Sequence, residues 1–454
     1  MTLDSLFFLS VFLPLTVGVY AMIQNKKVRQ YLLLAAGLVF YAFGSLQGLV
    51  VLLISGAFNY IFCVCIHRGR FAKSICILAV AANLLLLGTY KYLDFFLGEI
   101  LGTTAQLSLL APMGISFFTF KCISCAVDTY RDRESGPRKF TDFLLYVSFF
   151  PQITSGPICR YGDFVSQVAD PTWEGAASGM RRFVIGLAKK TLLASTLGAV
   201  SDAVFASALP DARGAWVGAL AYALQIYLDF SGYSDMAIGL GTVFGYGTKE
   251  NFLHPYTADS LTDFWRRWHI SLSSWFKDYL YIPLGGNRKG KYRAALNKMI
   301  VFALCGLWHG ANWTFLLWGL WHGVLSALES LKLIRPRKLP GRVYTLLVVC
   351  IGFVMFRAET VTQGLAMICA MFTAWKPVTE VTVLLYRVLD LRVLTAAVIG
   401  ILVCVDWKQV ISKKNQSLWA TIERVSYPAC VVLFVLCLLR LASGGFAPFI
   451  YAQF

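Results

Sequence analysis

A histidine lies deep in apolar sequence at Leu307-Trp308-His309-Gly310-Ala311-Asn312-Trp313, in a stretch that begins near Met299. A neutral imidazole accepts a proton near physiological pH, and burial favours the neutral form. Gly310 permits close approach of a backbone or a ligand. General-base catalysis is the chemistry this residue offers. The ordinary alternative is a histidine hydrogen-bonded between helices. Leu320-Trp321-His322-Gly323 repeats the same four letters 13 residues later. In one continuous helix the two imidazoles would stand about 20 Å apart and point in different directions, so they form a dyad only if the helix breaks. The repeat alone leaves open which of them sits at a reacting centre. Cys305 is one turn before His309, a spacing that suits a Cys–His nucleophile. An apolar setting raises a thiol's pKa and argues against it.

Three other segments carry polar groups that apolar sequence does not explain. Asp263-Phe264-Trp265-Arg266-Arg267-Trp268-His269-Ile270-Ser271-Leu272 runs on to Tyr279, with apolar positions 265, 268, 272, 275, 276 and 279 on one helical face. Ser260 and Asp263 form a capping box at its start. An amphipathic helix rich in Trp and Arg suits the membrane interface, and His269 sits on the shoulder of its apolar stripe. Gln225-Ile226-Tyr227-Leu228-Asp229-Phe230-Ser231-Gly232-Tyr233-Ser234-Asp235 interrupts an apolar span. Asp229 and Asp235 are costly there. They could orient a histidine, bind a cation or relay protons; the structural alternative is a network that holds a helix break. Pro151-Gln152-Ile153-Thr154-Ser155-Gly156-Pro157-Ile158-Cys159-Arg160-Tyr161 is a Pro/Gly-broken segment ending in a cation, and Pro112 to Phe117 is similar. Broken helices within membranes line cavities. Arg160 can meet an anionic group or snorkel to a headgroup. The chain has no Walker A sequence, no Gly-x-Ser-x-Gly elbow and no His-Glu-x-x-His.

The elements that must position these groups are membrane helices. The 454 residues are 57% hydrophobic and 14% charged, against about 25% charged in soluble domains. The mean hydropathy is +0.64. Candidate spans lie near 5–23, 30–43, 46–66, 74–97, 106–127, 141–158, 182–208, 214–243, 296–331, 341–357, 364–376, 381–404 and 426–443. Several are short, long or broken, which predicts about 11 true spans plus re-entrant or in-plane pieces. The pair 30–66 reads as a hairpin turning at Gly44-Ser45. The net charge of +17 gathers between apolar runs, at 26–29, 68–73, 131–139, 288–293 and 335–338. That placement fits loops beside anionic cytoplasmic lipid and excludes nucleic acid as a partner. The first cluster, after the first span, sets the N-terminus outside. Most of the twelve cysteines lie inside apolar runs and read as small buried hydrophobes. Asp4 stands where a cleaved signal peptide would need positive charge, so residues 5–23 read as a retained span. With no linker and no internal repeat, residues 1–454 read as a single integral membrane domain.

Taken in order, these motifs resemble the membrane-bound O-acyltransferase (MBOAT) family, and most closely its bacterial branch that acylates extracytoplasmic polysaccharides such as alginate and peptidoglycan. Pro112 to Phe117, Tyr146 to Gln152, Ser155 to Ile158, Tyr227 to Asp235, Asp263 to Leu272, Tyr281 to Gly286 and Leu307 to Gly310 carry the resemblance. It covers the chain from the first span to about residue 330; the last 120 residues carry no motif. The resemblance implies an all-α ring of helices around a central tunnel. It marks His309 as the family's near-invariant histidine and His269 as the second position, and it does not mark His322. By the same resemblance His309 is a general base on an acceptor hydroxyl that attacks a cytoplasmic acyl thioester, carried by acetyl-CoA or an acyl-carrier protein, with no cofactor or metal bound. His269, Asn312 and Trp-lined walls including Trp308 and Trp268 would position the acyl group or stabilise the oxyanion. Gln225, Asp229, Asp235 and Arg160 would line the tunnel. The branch also implies an extracytoplasmic transferase or esterase-like partner protein, a polysaccharide acceptor and a place in the bacterial cytoplasmic membrane. D-alanyl transfer to teichoic acid, a transporter or flippase, and a non-catalytic scaffold are the competing functions.

Overall fold

The computed structural model describes residues 1–103, 109–207 and 210–444. Residues 106–108 of the expected span 106–127, and residue 208 at the end of 182–208, lie outside the described residues. Among the described residues every long element is helical, and extended pairing is limited to one isolated bridge between Val168 and Tyr246. The chain divides into two compact units, Met1–Phe183 with Met236–Lys249, and Val184–Asp235 with Glu250–Phe454.

The first unit contains α1 (Phe8–Met22), α2 (Lys26–Ala42), α3 (Leu46–His67), α4 (Ala72–Lys91), α5 (Ile115–Arg131) and α6 (Phe140–Ser148). It also takes residues up to 183 of α7 (Trp173–Phe205) and residues from 236 of α8 (Ala212–Val243). The α2–α3 hairpin turns at Gly44-Ser45 as its sequence predicts. The Ser45 hydroxyl oxygen accepts from the Gly48 amide at 2.9 Å and caps α3. Phe8, Phe40, Phe150 and Phe244 form a buried aromatic cluster, with edge-on contacts at 5.9 Å (Phe8–Phe40) and 5.6 Å (Phe150–Phe244). Where α7 meets α8, a Cβ on Gly179 would fall 2.6 Å from the Gly239 carbonyl oxygen, so only paired glycines permit that approach. Lys121 of α5 is 1% exposed, and its ammonium donates to the Tyr146 carbonyl at 2.9 Å and to Gln152 Oε1 at 3.2 Å. The sequence reading passed over this lysine.

The second unit contains the rest of α7 and α8, then α9 (Leu261–Arg267), α10 (Ile270–Phe276), α11 (Lys291–His309), α12 (Trp313–Ser330), α13 (Lys338–Arg357), α14 (Val361–Thr373), α15 (Leu391–Val403) and α16 (Gln416–Ala442). Three expectations change here. The stretch 296–331 is two helices, because Gly310 to Asn312 break it and α12 folds back on α11. The amphipathic run 263–279 is broken at Trp268-His269, where His269 adopts a left-handed φ of +43°. The Asp229–Asp235 segment contains no break: α8 is continuous over 32 residues.

Among the described residues, five helices are long and apolar enough to cross a membrane: α3, α4, α7, α13 and α16. Helices α1, α14 and α15 are apolar but shorter. The exposed faces of the long helices carry large apolar side chains, such as Phe58 and Ile54 on α3 and Val431, Val432 and Leu439 on α16. Lipid solvates such faces; water would not.

Candidate active site

The second unit gathers all three histidines of the sequence motifs into one aromatic file. His309 is the last residue of α11 and is 4% exposed. The break that follows it turns its ring toward Trp318 of α12, edge-on at 5.1 Å, and toward Phe356 of α13, also at 5.1 Å. On its other side stands the indole of its neighbour Trp308, at 4.9 Å. The same indole lies 6.3 Å from the ring of His269, so Trp308 is flanked by the two histidines. Trp318 in turn lies 5.2 Å from His322, which packs edge-on against Trp265 of α9. The helix break therefore brings His309 and His322 against one indole, that of Trp318.

His269 is 1% exposed and is fixed from several directions. Phe230 of α8 meets its ring edge-on at 4.5 Å, and Phe252 lies nearly parallel at 6.4 Å. Its Nδ1 is 3.3 Å from Oδ1 of Asn251, which also accepts from the Ser271 amide at 3.1 Å and the Ser271 hydroxyl at 2.9 Å. The Asn251 amide nitrogen donates to Ser234 Oγ of α8 at 3.0 Å. Trp268 is buried among Phe264, Phe252 and Phe353, stacked on Phe264 at 5.4 Å, and so anchors the chain on the N-terminal side of His269.

The other residues singled out in the sequence fall into distinct settings. Asp229 pairs with Lys190 at 2.6 Å, with side chains 7% and 1% exposed, and Asp235 pairs with Lys189 at 2.7 Å. Both lysines sit in a π-helical turn of α7, Lys189–Ala194, which presents the two consecutive side chains to α8. A Cβ on Gly232 would fall 2.6 Å from the Gly186 carbonyl, so Gly232 brings α8 against α7 at the level of these pairs. Gln225 is buried against Gly198 of α7. Asn312 caps α12: its oxygen accepts from Thr314 N and its nitrogen donates to the Glu359 carbonyl, both at 3.0 Å. Arg160 belongs to the first unit, half-buried at the start of the short helix Tyr161–Ser166. Ser260 caps α9 through the Asp263 amide at 3.1 Å, and Asp263 pairs with Arg267 at 2.9 Å.

Sequence reasoning missed Asn251, Lys189 and Lys190, and it named Ser234 only as part of the Gln225–Asp235 segment. The two lysines did leave a signal, an adjacent pair of cations inside a candidate span. Their partners are 39 and 46 residues away, so local pattern could not join them.

Chemically, the file holds buried imidazoles in an aromatic wall. That arrangement suits proton transfer to and from a hydroxyl. The family model described as MBOAT, membrane-bound O-acyltransferase family, matches residues 124–368. The chain is 37% identical to the probable alginate O-acetylase AlgI of Azotobacter vinelandii, with all of both chains covered. It is also 37% identical to the peptidoglycan O-acetyltransferase of Helicobacter pylori, over 68% of this chain and 66% of that protein. A more distant likeness, 30% identity over 45% of this chain and 55% of the relative, is to the teichoic acid D-alanyltransferase of Bacillus subtilis.

Proposed function

The chain belongs to the membrane-bound O-acyltransferase family, and on that premise we propose that it moves an acetyl group from a cytoplasmic thioester to hydroxyls of an extracytoplasmic polysaccharide, with His309 as general base. The observation that carries this reading is His309 itself: the motif histidine is buried at a helix break, with its ring held on three sides by Trp308, Trp318 and Phe356. A base so enclosed keeps its geometry between turnovers.

In the proposed step the acceptor hydroxyl oxygen attacks the thioester carbonyl while His309 takes the hydroxyl proton. The tetrahedral intermediate collapses, the C–S bond breaks, and the thiolate leaves with the proton that His309 returns. The donor is acetyl-CoA or an acyl-carrier protein. Residues 1–454 act as one membrane domain of about 11 spans around a tunnel, in the bacterial cytoplasmic membrane, with an extracytoplasmic transferase or esterase-like partner finishing delivery. Acetyl is preferred over D-alanyl because the alginate O-acetylase relative matches the whole chain, the peptidoglycan O-acetyltransferase 68% of it and the D-alanyl relative 45%. The pairing of Asp229 and Asp235 with lysines favours a structural role for them over the ion coupling a transporter needs.

Replacing His309 with Ala, at unchanged membrane level, is expected to remove the O-acetyl groups from the isolated wall or exopolysaccharide. Undiminished acetylation would refute the proposed mechanism.

A further inference from the structure

We propose that Asn251 is a positioning residue that holds His269 in its Nδ1–H tautomer, so that Nε2 is the lone-pair nitrogen His269 offers to the reaction. The proposal rests on the functional reading above for its role in catalysis, but not for the tautomer itself.

The orientation of the Asn251 amide is fixed by a group that can only donate. The Ser271 backbone N–H points at one atom of that side chain from 3.1 Å, so this atom is the carbonyl oxygen Oδ1 and the amide is not flipped. On the opposite side Nδ2 donates to Ser234 Oγ at 3.0 Å, in agreement. Nδ1 of His269 therefore faces an atom that only accepts, at 3.3 Å; the Ser271 hydroxyl, 3.5 Å from Nδ1, gives its one hydrogen to Oδ1 at 2.9 Å and so meets Nδ1 as an acceptor as well. An unprotonated Nδ1 would set two lone pairs against each other, so Nδ1 carries the hydrogen. A neutral imidazole has one N–H, which leaves the lone pair on Nε2. Nε2 is buried and makes no hydrogen bond among the described residues.

The surroundings prevent the ring from escaping this assignment. A ring flip would replace Nδ1 by a carbon and lose the bond to Asn251, while Phe230 and Phe252 clamp the ring faces and edge. Asn251 also holds the backbone of the turn, because its carbonyl accepts from the Ile270 amide at 2.9 Å. His269 sits in the left-handed region, where a non-glycine residue persists only if its surroundings impose it. Asn251, 0% exposed and tied to α8 through Ser234, is what imposes it.

The consequence is a division of labour. A lone pair at Nε2 repels an oxyanion and attracts a hydroxyl hydrogen. His269 accordingly accepts a hydrogen bond from a second hydroxyl of the sugar acceptor and so aligns the reacting hydroxyl, whose own hydrogen goes to His309. Oxyanion stabilisation falls to other donors.

Nitrogen NMR of the full chain in bilayers, with isotope-labelled histidine and the His269 signals identified by loss in a His269→Gln variant, reads the tautomer directly. A protonated Nδ1 with an unprotonated Nε2 is expected, and a protonated Nε2 would overturn the proposal. In membranes supplied with acetyl-CoA, Asn251→Ala is expected to lower the initial acetyl-transfer rate about 100-fold, and Asn251→Asp, which keeps the acceptor oxygen, to restore most of it. Equal rates for Asn251→Ala and wild type would also overturn it. If Asn251→Ala fails to fold, the wild-type spectrum still decides. An active His309→Ala variant beside the expected spectrum would sink the base assignment and leave the tautomer standing.

Discussion

Each histidine takes its part from what touches its ring. His309 and His269 share Trp308, and His269 is tied to Asn251. His322 is 0% exposed, and neither ring nitrogen has a hydrogen-bond partner among the described residues. Its ring packs against those of Trp265, Trp318 and Phe302 and against Gly352. We expect it to act as a packing element behind Trp318. His322→Phe should therefore keep at least about a tenth of the transfer rate, since it removes no protein hydrogen bond. A loss as large as that of a missing general base, about 10²–10⁴-fold, would assign His322 to the chemistry instead. The sequence made His309 and His269 legible because each stands in a motif, and it could not rank His322, which stands in the same four letters. Asn251 was invisible because nothing in its neighbourhood distinguishes a buried amide from a loop one.

The strongest polar feature among the helices is the double seam between α7 and α8, where Lys190–Asp229 and Lys189–Asp235 lie beside Gly186 and Gly232. Removing one partner of the buried Lys190–Asp229 pair leaves an uncompensated charge, which costs about 3–5 kcal/mol. Lys190→Met alone should lower thermal stability in detergent strongly, and Lys190→Met with Asp229→Leu should recover most of it. Additive losses would show that the two residues do not depend on each other. The sequence read Asp229 to Asp235 as a broken helix because serines, a glycine and two aspartates cluster there. In the fold the charges are neutralised by α7 and the glycine serves close packing, so the helix continues. The opposite error occurred at Trp268-His269, where an unbroken apolar stripe concealed a left-handed residue held by a distant asparagine. Before α8, burial works against ionisation of Asp211, but the Gly214 amide, the Arg213 guanidinium and the Val378 amide outweigh it and hold its carboxyl below the ordinary aspartate range. A depressed carboxylate stabilises the fold above its unfolded pKa and loses that contribution as pH falls through its folded one. Thermal stability should therefore drop below about pH 4, and less steeply in Asp211→Asn. An identical slope in the variant would exclude this link.

For the molecule as a whole, composition and spacing conveyed the class. An apolar, basic, helical membrane chain was legible from 57% hydrophobic residues and a net charge of +17, and among the described residues five helices are long and apolar enough to span a bilayer. The α2–α3 hairpin was legible because Gly44-Ser45 separates two apolar runs. The fold-back of α12 on α11 was not, since the stretch 296–331 is apolar on both sides of the break, and apolarity does not report direction. Family membership extends over the full length of an alginate O-acetylase relative, so acyl transfer by the whole chain is the activity to assay. The decisive measurement is the initial rate of acetyl transfer from acetyl-CoA by the full-length protein in proteoliposomes, compared between wild type and His309→Gln at equal incorporation. Loss of a buried general base predicts a fall of at least about 100-fold with the protein still folded. A His309→Gln rate within a few-fold of wild type would contradict the assignment of His309 as the base.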